Sequence, residues 1–186
     1  MLRICVPVGA VLLLLSSIAM AAEPPITAER AQALLFDAAK LGRAELVPGL
    51  VAAGADANAK DARGFTPVIL AAYNDQLATL DALIAVRADA CLPDRDQGNT
   101  ALMGAAFRGH DVIAARLLTA GCAVDARNKA GQTALMMAAL FGRTAQVDML
   151  IAAGADARAA DASGRTAASV ALDQGNAAVA VRLGPK

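Results

Sequence analysis

The chain contains no tryptophan, one tyrosine, four phenylalanines and one histidine in 186 residues. Aromatics make up 3% of it and hydrophobic residues 57%, so alanine and the aliphatics carry the apolar content. That composition excludes a single thick core filled by large rings and suits thin helices stacked closely. A surplus of either charge is also missing: 17 basic residues are interspersed with 17 acidic ones. No basic stripe is available to neutralise a phosphate backbone, which argues against nucleic acid as a partner. The sequence has no GxxxxGK[ST], CxxC or HExxH, and so lacks the spacings of a phosphate loop or a zinc set. At this length one domain is expected.

Charge is scarcest at the front. MLRICVPVGAVLLLLSSIAMAA carries one early cation, Arg3, then an apolar run, then the small-x-small triplet Ala19-Met20-Ala21. This is the pattern of a secretory signal peptide, with cleavage expected after Ala21 or Ala22. The alternative is an uncleaved inner-membrane anchor at 4–22. Those 19 uncharged residues barely meet the roughly 20 that a spanning helix needs. Pro7, Ser16 and Ser17 weaken it further, so residues 1–21 read as a signal peptide and 22–27 as a linker. The expected location is periplasmic or secreted, with membrane contact only if the leader is retained.

What the chain does have is repetition. TALMGAAFRGH at 100–110 returns as TALMMAALFGR at 133–143. Gly64-Phe65-Thr66-Pro67, Gly98-Asn99-Thr100-Ala101, Gly131-Gln132-Thr133-Ala134 and Gly164-Arg165-Thr166-Ala167 are spaced by 34, 33 and 33 residues. The alanine pairs Ala38-Ala39, Ala71-Ala72, Ala105-Ala106 and Ala138-Ala139 hold the same phase. So do Gly54-Ala55-Asp56, Arg87-Ala88-Asp89, Gly121-Cys122-Ala123 and Gly154-Ala155-Asp156. Thr66, Thr100 and Thr133 stand where an N-cap oxygen can accept an orphan N–H, and Pro67 suits the first helical position. Val112, Ile113, Leu117 and Leu118 recur at helical spacing in the second helix, as do Val147, Leu150 and Ile151. Gly54, Gly121 and Gly154 stop those helices; Arg87 in the same place predicts strain. Pro48 predicts an irregular first turn in unit one.

These landmarks resemble the ankyrin repeat, a turn and two helices in about 33 residues. The resemblance covers residues 28–186 as units 28–60, 61–93, 94–127, 128–160 and a shortened 161–186. It implies an all-α ankyrin-repeat solenoid of about five helix-turn-helix units with atypical capping repeats. The polar caps are Glu29, Arg30 and Gln32 in front, and Asp173, Gln174, Asn176, Arg182 and Lys186 behind. Only Thr66-Pro67-Val68-Ile69 keeps the proline of the family's TPLH motif. Its histidine is replaced by Ile69, Met103, Met136 and Ser169.

Candidate chemistry is thin. His110 sits in a Gly-His corner, where the family packs this side chain against the helix-helix turn. The run Asp94-Arg95-Asp96-Gln97-Gly98-Asn99 fails the calcium-loop pattern, because Asn99 and Ala105 replace the required glycine and glutamate. Its aspartates read as solvating a turn, and no metal or cofactor is expected. Once Cys5 leaves with the leader, Cys91 and Cys122 remain, lying three places apart in the phase of neighbouring units. Packed helices sit about 8–10 Å apart and a bridge needs Cα atoms within about 7 Å, so two unpaired small residues are favoured over a disulfide.

The aromatics are more informative. Phe36 aligns with the core positions Ile69 and Met103, but Phe65, Tyr73, Phe107 and Phe141 do not. In the family those places form the hairpin tips and the concave helical face. The resemblance therefore implies partner-binding residues Arg63, Phe65, Tyr73, Asn74, Arg95, Phe107, Arg108, Lys129, Leu140 and Phe141. The alternative is that the rings fill gaps between units. The expected function is a non-enzymatic, monomeric protein-binding module of the bacterial envelope, resembling small exported bacterial ankyrin proteins. Its partner would be an envelope or secreted protein, supported or restrained, or a toxic envelope enzyme held by an immunity-type inhibitor. An enzyme with an unrecognised site is the reading from another class; no small-molecule substrate is expected. Intact-mass measurement of the protein recovered from cells should show residues 1–21 absent; a full-length mass would establish the anchor.

Overall fold

A computed structural model describes residues 26–184. The expected leader, its cleavage point, the alternative anchor and Lys186 lie outside the described residues. Among those described, no helix is long and apolar enough to cross a membrane. Ten α-helices form five pairs: α1 (Ala28–Leu41) and α2 (Val47–Ala52), α3 (Pro67–Tyr73) and α4 (Leu77–Ala85), α5 (Ala101–Arg108) and α6 (Asp111–Thr119), α7 (Ala134–Leu140) and α8 (Thr144–Ala152), α9 (Ala167–Asp173) and α10 (Ala177–Leu183). The first helices stack in a row, α1 on α3, α3 on α5, α5 on α7 and α7 on α9, with the second helices behind them. This is an all-α solenoid of stacked helix-turn-helix units, as the repeat predicts.

Each first helix begins on a threonine. Thr66, Thr100 and Thr133 Oγ1 accept the Ile69, Met103 and Met136 N–H groups at 3.2, 3.3 and 3.4 Å, as the sequence predicts. Thr27 and Thr166 extend the device to both ends of the array. The alanine pairs are sealed between neighbouring helices, none more than 2% exposed. Behind them Leu80, Leu83, Ile113, Leu117, Val147 and Leu150 are fully buried. Val112 and Ile151 belong to the same sequence stripe but face outward, at 61% and 41% exposed. One residue of helix is about 100° of rotation, which carries each of them past the edge of the buried face.

Helix ends follow the expected chemistry. Gly54, Gly121 and Gly154 adopt φ of +97°, +88° and +90°, and Arg87 is forced into the same left-handed region at +65°. That conformation costs an L-residue roughly 1 kcal/mol or more. Pro48 lies in the first turn of α2, which is preceded by a 3₁₀ turn at Ala44–Leu46 and runs only six residues.

The turn leading into each later unit is built on one side chain. Asp61, Asp94, Asn128 and Asp161 each accept backbone N–H bonds from the residues that follow, at 2.6–3.0 Å. Successive turns are then tied by single main-chain bonds: Arg95 N–H to Gly64 O, Lys129 N–H to Gln97 O and Ala162 N–H to Ala130 O. The Arg165 backbone N–H, assisted by its guanidinium and the Ser163 N–H, holds the Asp161 carboxyl below its ordinary pKa against the opposing effect of burial. A depressed carboxylate stabilises the fold above its unfolded pKa, and that contribution is lost as pH falls through the lowered value.

The cysteines correct the sequence expectation. Cys91 and Cys122 form a disulfide with Cα atoms 5.2 Å apart and a sequence separation of 31. The helix-packing distance does not govern them, because they lie in the outer loops, which slant across the array. The fourth residue past the helix stop in one unit meets the first or second in the next. Asn58 Oδ1 accepts the Asp89 N–H at 2.7 Å and Asp125 Oδ1 accepts the Asp156 N–H at 3.1 Å, both again at a separation of 31. In unit one the partner comes from α1 instead, where Gln32 bonds Asp56 through both carboxamide atoms. Removing the bridge with Cys91→Ala/Cys122→Ala should lower the unfolding free energy by about 2–4 kcal/mol, measured by urea titration. An unchanged midpoint would contradict a bridge between these units.

Candidate functional site: an aromatic groove on the concave face

The first helices end where their buried faces stop, and the residue after each alanine pair is where the chain reaches the concave side. Tyr73, Phe107 and Leu140 occupy that position, with Phe141 one place later. Because stacking sets their carriers side by side, the rings meet. Tyr73 stacks on Phe107 with centroids 6.0 Å apart and planes at 25°. Phe107 meets Phe141 edge to face at 4.4 Å. The Arg108 guanidinium lies 5.1 Å above the Tyr73 ring, and that of Arg63 5.0 Å above Phe65. Tyr73 and Phe141 remain 41% exposed, while Phe65 and Phe107 are half-buried. The rings thus fill the seam between units and also present a continuous aromatic edge to solvent.

In front of this edge lies a groove of about 770 Å³ running from unit one to unit four. Of the residues picked from sequence, Arg63, Phe65, Tyr73, Asn74, Phe107 and Leu140 line it. Arg95, Arg108, Lys129 and Phe141 do not. Arg95 donates to Ala62 O at 2.9 Å and pairs with Asp96, and Lys129 Nζ donates to the carbonyls of Arg95 and Asp96. Both cations tie successive turns together. Asn74 Nδ2 is taken by the Leu70 carbonyl at 2.7 Å.

Sequence reasoning missed the helix-side residues Leu70, Gly104 and Met137, and the turn-side residues Asp94, Gln97, Asn99, Asn128 and Gln132. Leu70, Gly104 and Met137 share one place, directly before the alanine pair. Asn99 and Gln132 share the place of Phe65, directly before the capping threonine. The register that marks Phe65 marks them too, although their side chains are amides and not aromatics or arginines. Asp94 is only 4% exposed and accepts three backbone N–H groups, so it builds its turn instead of solvating it.

His110 lies at the helix-helix corner, its Nε2 3.2 Å from Tyr73 O and its Nδ1 3.6 Å from the Asp75 carboxylate. Donating to a carbonyl, it ties unit three to unit two and positions the backbone beneath Tyr73. This is the packing role expected of it.

A family model of ankyrin repeats, in three copies, matches residues 35–128 and 102–183. No curated protein matches the chain. The geometry separates scaffold from surface. Asn128→Ala, which removes a 9% exposed side chain with four hydrogen bonds, should cost about 1–3 kcal/mol by urea titration. Arg108→Ala should cost less than about 1 kcal/mol; equal losses would show that the arginine is structural too.

Proposed function

The chain belongs to the ankyrin-repeat family, whose members are generally non-enzymatic protein–protein interaction modules, and on that premise we propose that it binds a partner protein in the bacterial envelope through its concave groove. The observation that carries this reading is the Tyr73–Phe107–Phe141 edge, at which Tyr73 and Phe141 stay exposed beside the groove. Aromatics with arginine nearby are the usual anchors of protein interfaces. A stacked scaffold holds them in place before binding, so little ordering entropy opposes association.

Export is part of the proposal. The leader pattern at 1–21 supports it, and so does the Cys91–Cys122 bridge, since disulfides persist in oxidising compartments and are rare in the cytosol. The partner is therefore an envelope or secreted protein, supported or restrained by the bound module; inhibition of a toxic envelope enzyme is one form of restraint.

Affinity capture from envelope extract tests the reading, comparing the native protein with a Phe65→Ala/Tyr73→Ala/Phe107→Ala variant after circular dichroism. A partner held by the first and lost by a still-helical variant is the expected result; equal retention places recognition on another face. If the triple variant unfolds, Arg63→Glu/Arg108→Glu reverses charge at the rim without touching the seam, and should release the same partner.

A further inference from the structure

The groove has two unlike walls, and the turn-side wall has a fixed polarity. Asn128 Oδ1 accepts the Ala130 and Gln132 backbone N–H groups at 3.0 and 2.9 Å. A backbone N–H can only donate, so this assigns oxygen and nitrogen of the Asn128 carboxamide without ambiguity. Its Nδ2 must then donate, and it does so to Asn99 Oδ1 at 2.8 Å and Gln132 Oε1 at 3.0 Å. Both neighbouring amides consequently turn their oxygens toward Asn128 and their NH₂ groups away from it. Among the described residues neither Asn99 Nδ2 nor Gln132 Nε2 donates to a protein acceptor, and both side chains line the groove. The one carboxylate of the lining, Asp94, is already taken by three backbone N–H groups. Lys40 and Arg63 add two cations at the unit-one end, each loosely paired within the chain, with Asp37 at 3.5 Å and Asp61 at 3.7 Å. The polar complement of the Asn99–Gln132 stretch is a pair of oxygen acceptors.

The helix-side wall contains a gap. Leu70, Gly104 and Met137 occupy the same place in successive units, and the middle one has no side chain. Gly104 needs no special backbone, since it lies inside α5 without a positive φ. A Cβ built there would meet only the Tyr73 ring, at an ordinary 3.8 Å. Alanine would fit and is the better helix former. The glycine leaves an apolar notch between Leu70 and Met137, beside Tyr73 and Phe107.

Together these walls select a peptide in one conformation. Along its length, short of the last turn, a helix satisfies its own carbonyls and offers none to these two donors, whereas an extended segment leaves its carbonyls free and projects side chains to alternate sides. We propose, resting on the groove reading above, that the occupant is an extended segment of the partner protein. Its main-chain carbonyls accept from Asn99 Nδ2 and Gln132 Nε2, and one bulky apolar side chain enters the notch over Gly104. An acidic residue of the segment toward the unit-one end would meet Arg63 and Lys40.

The test is selection from a phage-displayed library of linear nonapeptides, followed by fluorescence anisotropy with the enriched sequence. The expected consensus has one large apolar residue with an acidic residue to one side. Asn99→Asp/Gln132→Glu preserves the oxygens facing Asn128 but deletes both donors, and should weaken binding at least ten-fold. Gly104→Leu should do the same by filling the notch. Gly104→Ala should raise the unfolding midpoint while lowering affinity, a combination that a purely structural glycine would not give. Peptides insensitive to all three variants, or tighter binding by a helix-stapled form, would overturn the inference. If no linear peptide is enriched while the envelope partner is still captured through Tyr73 and Phe107, the occupant is a folded surface and this inference alone fails. Loss of that capture's dependence on the rings would remove the groove reading as well.

Discussion

Everything in this molecule depends on how closely one unit can approach the next. The alanine pairs at 38–39, 71–72, 105–106 and 138–139 are sealed at the helix contacts, and their small side chains let neighbouring first helices pack closely. A single helix pair has no interior of its own, so its apolar face is buried only by its neighbours and stability accumulates along the array. The shortage of large rings follows from the same constraint. Where a ring does occur on the seam it is pushed to the concave edge, and there Tyr73, Phe107 and Phe141 meet one another.

Close stacking also determines what the loops can do. Outer loops slant so that the end of one meets the start of the next, a contact made three times at a separation of 31 residues, twice by hydrogen bonds and once by the disulfide. Further along the same connections the turns are each organised by an Asp or Asn and tied in series by main-chain bonds. Arg95 and Lys129 reinforce that series, which leaves Arg63 and Arg108 as the arginines lying over rings. The groove between turns and helices is thus rigid on both walls, the condition under which exposed anchors bind with little loss of freedom.

The local features were legible in the sequence because each rests on neighbours a few residues away. Threonine caps, glycine stops, the strained Arg87 and the irregular start of α2 at Pro48 all belong to this class. The Cys91–Cys122 bridge was not legible, since it depends on the slant of loops between units, which helix spacing does not describe. Val112 and Ile151 were misplaced because an apolar stripe gives a face only to within one residue. At the site, the ring positions followed from register alone, and the structure sets Tyr73 and Phe107 in the groove wall. The carboxamide relay through Asn128 was invisible, because it joins side chains 29 residues apart whose partnership arises only from stacking.

The central claim is that recognition occurs on the concave aromatic edge and not on the outer helices. A photoreactive residue placed in living cells at Tyr73, at Phe141, and on the outer surface at Val112 or Val181 addresses it directly. A defined protein adduct formed from 73 and 141 but absent from 112 and 181 is the predicted outcome. The same adduct formed from the outer positions, with none from the groove, would contradict the account.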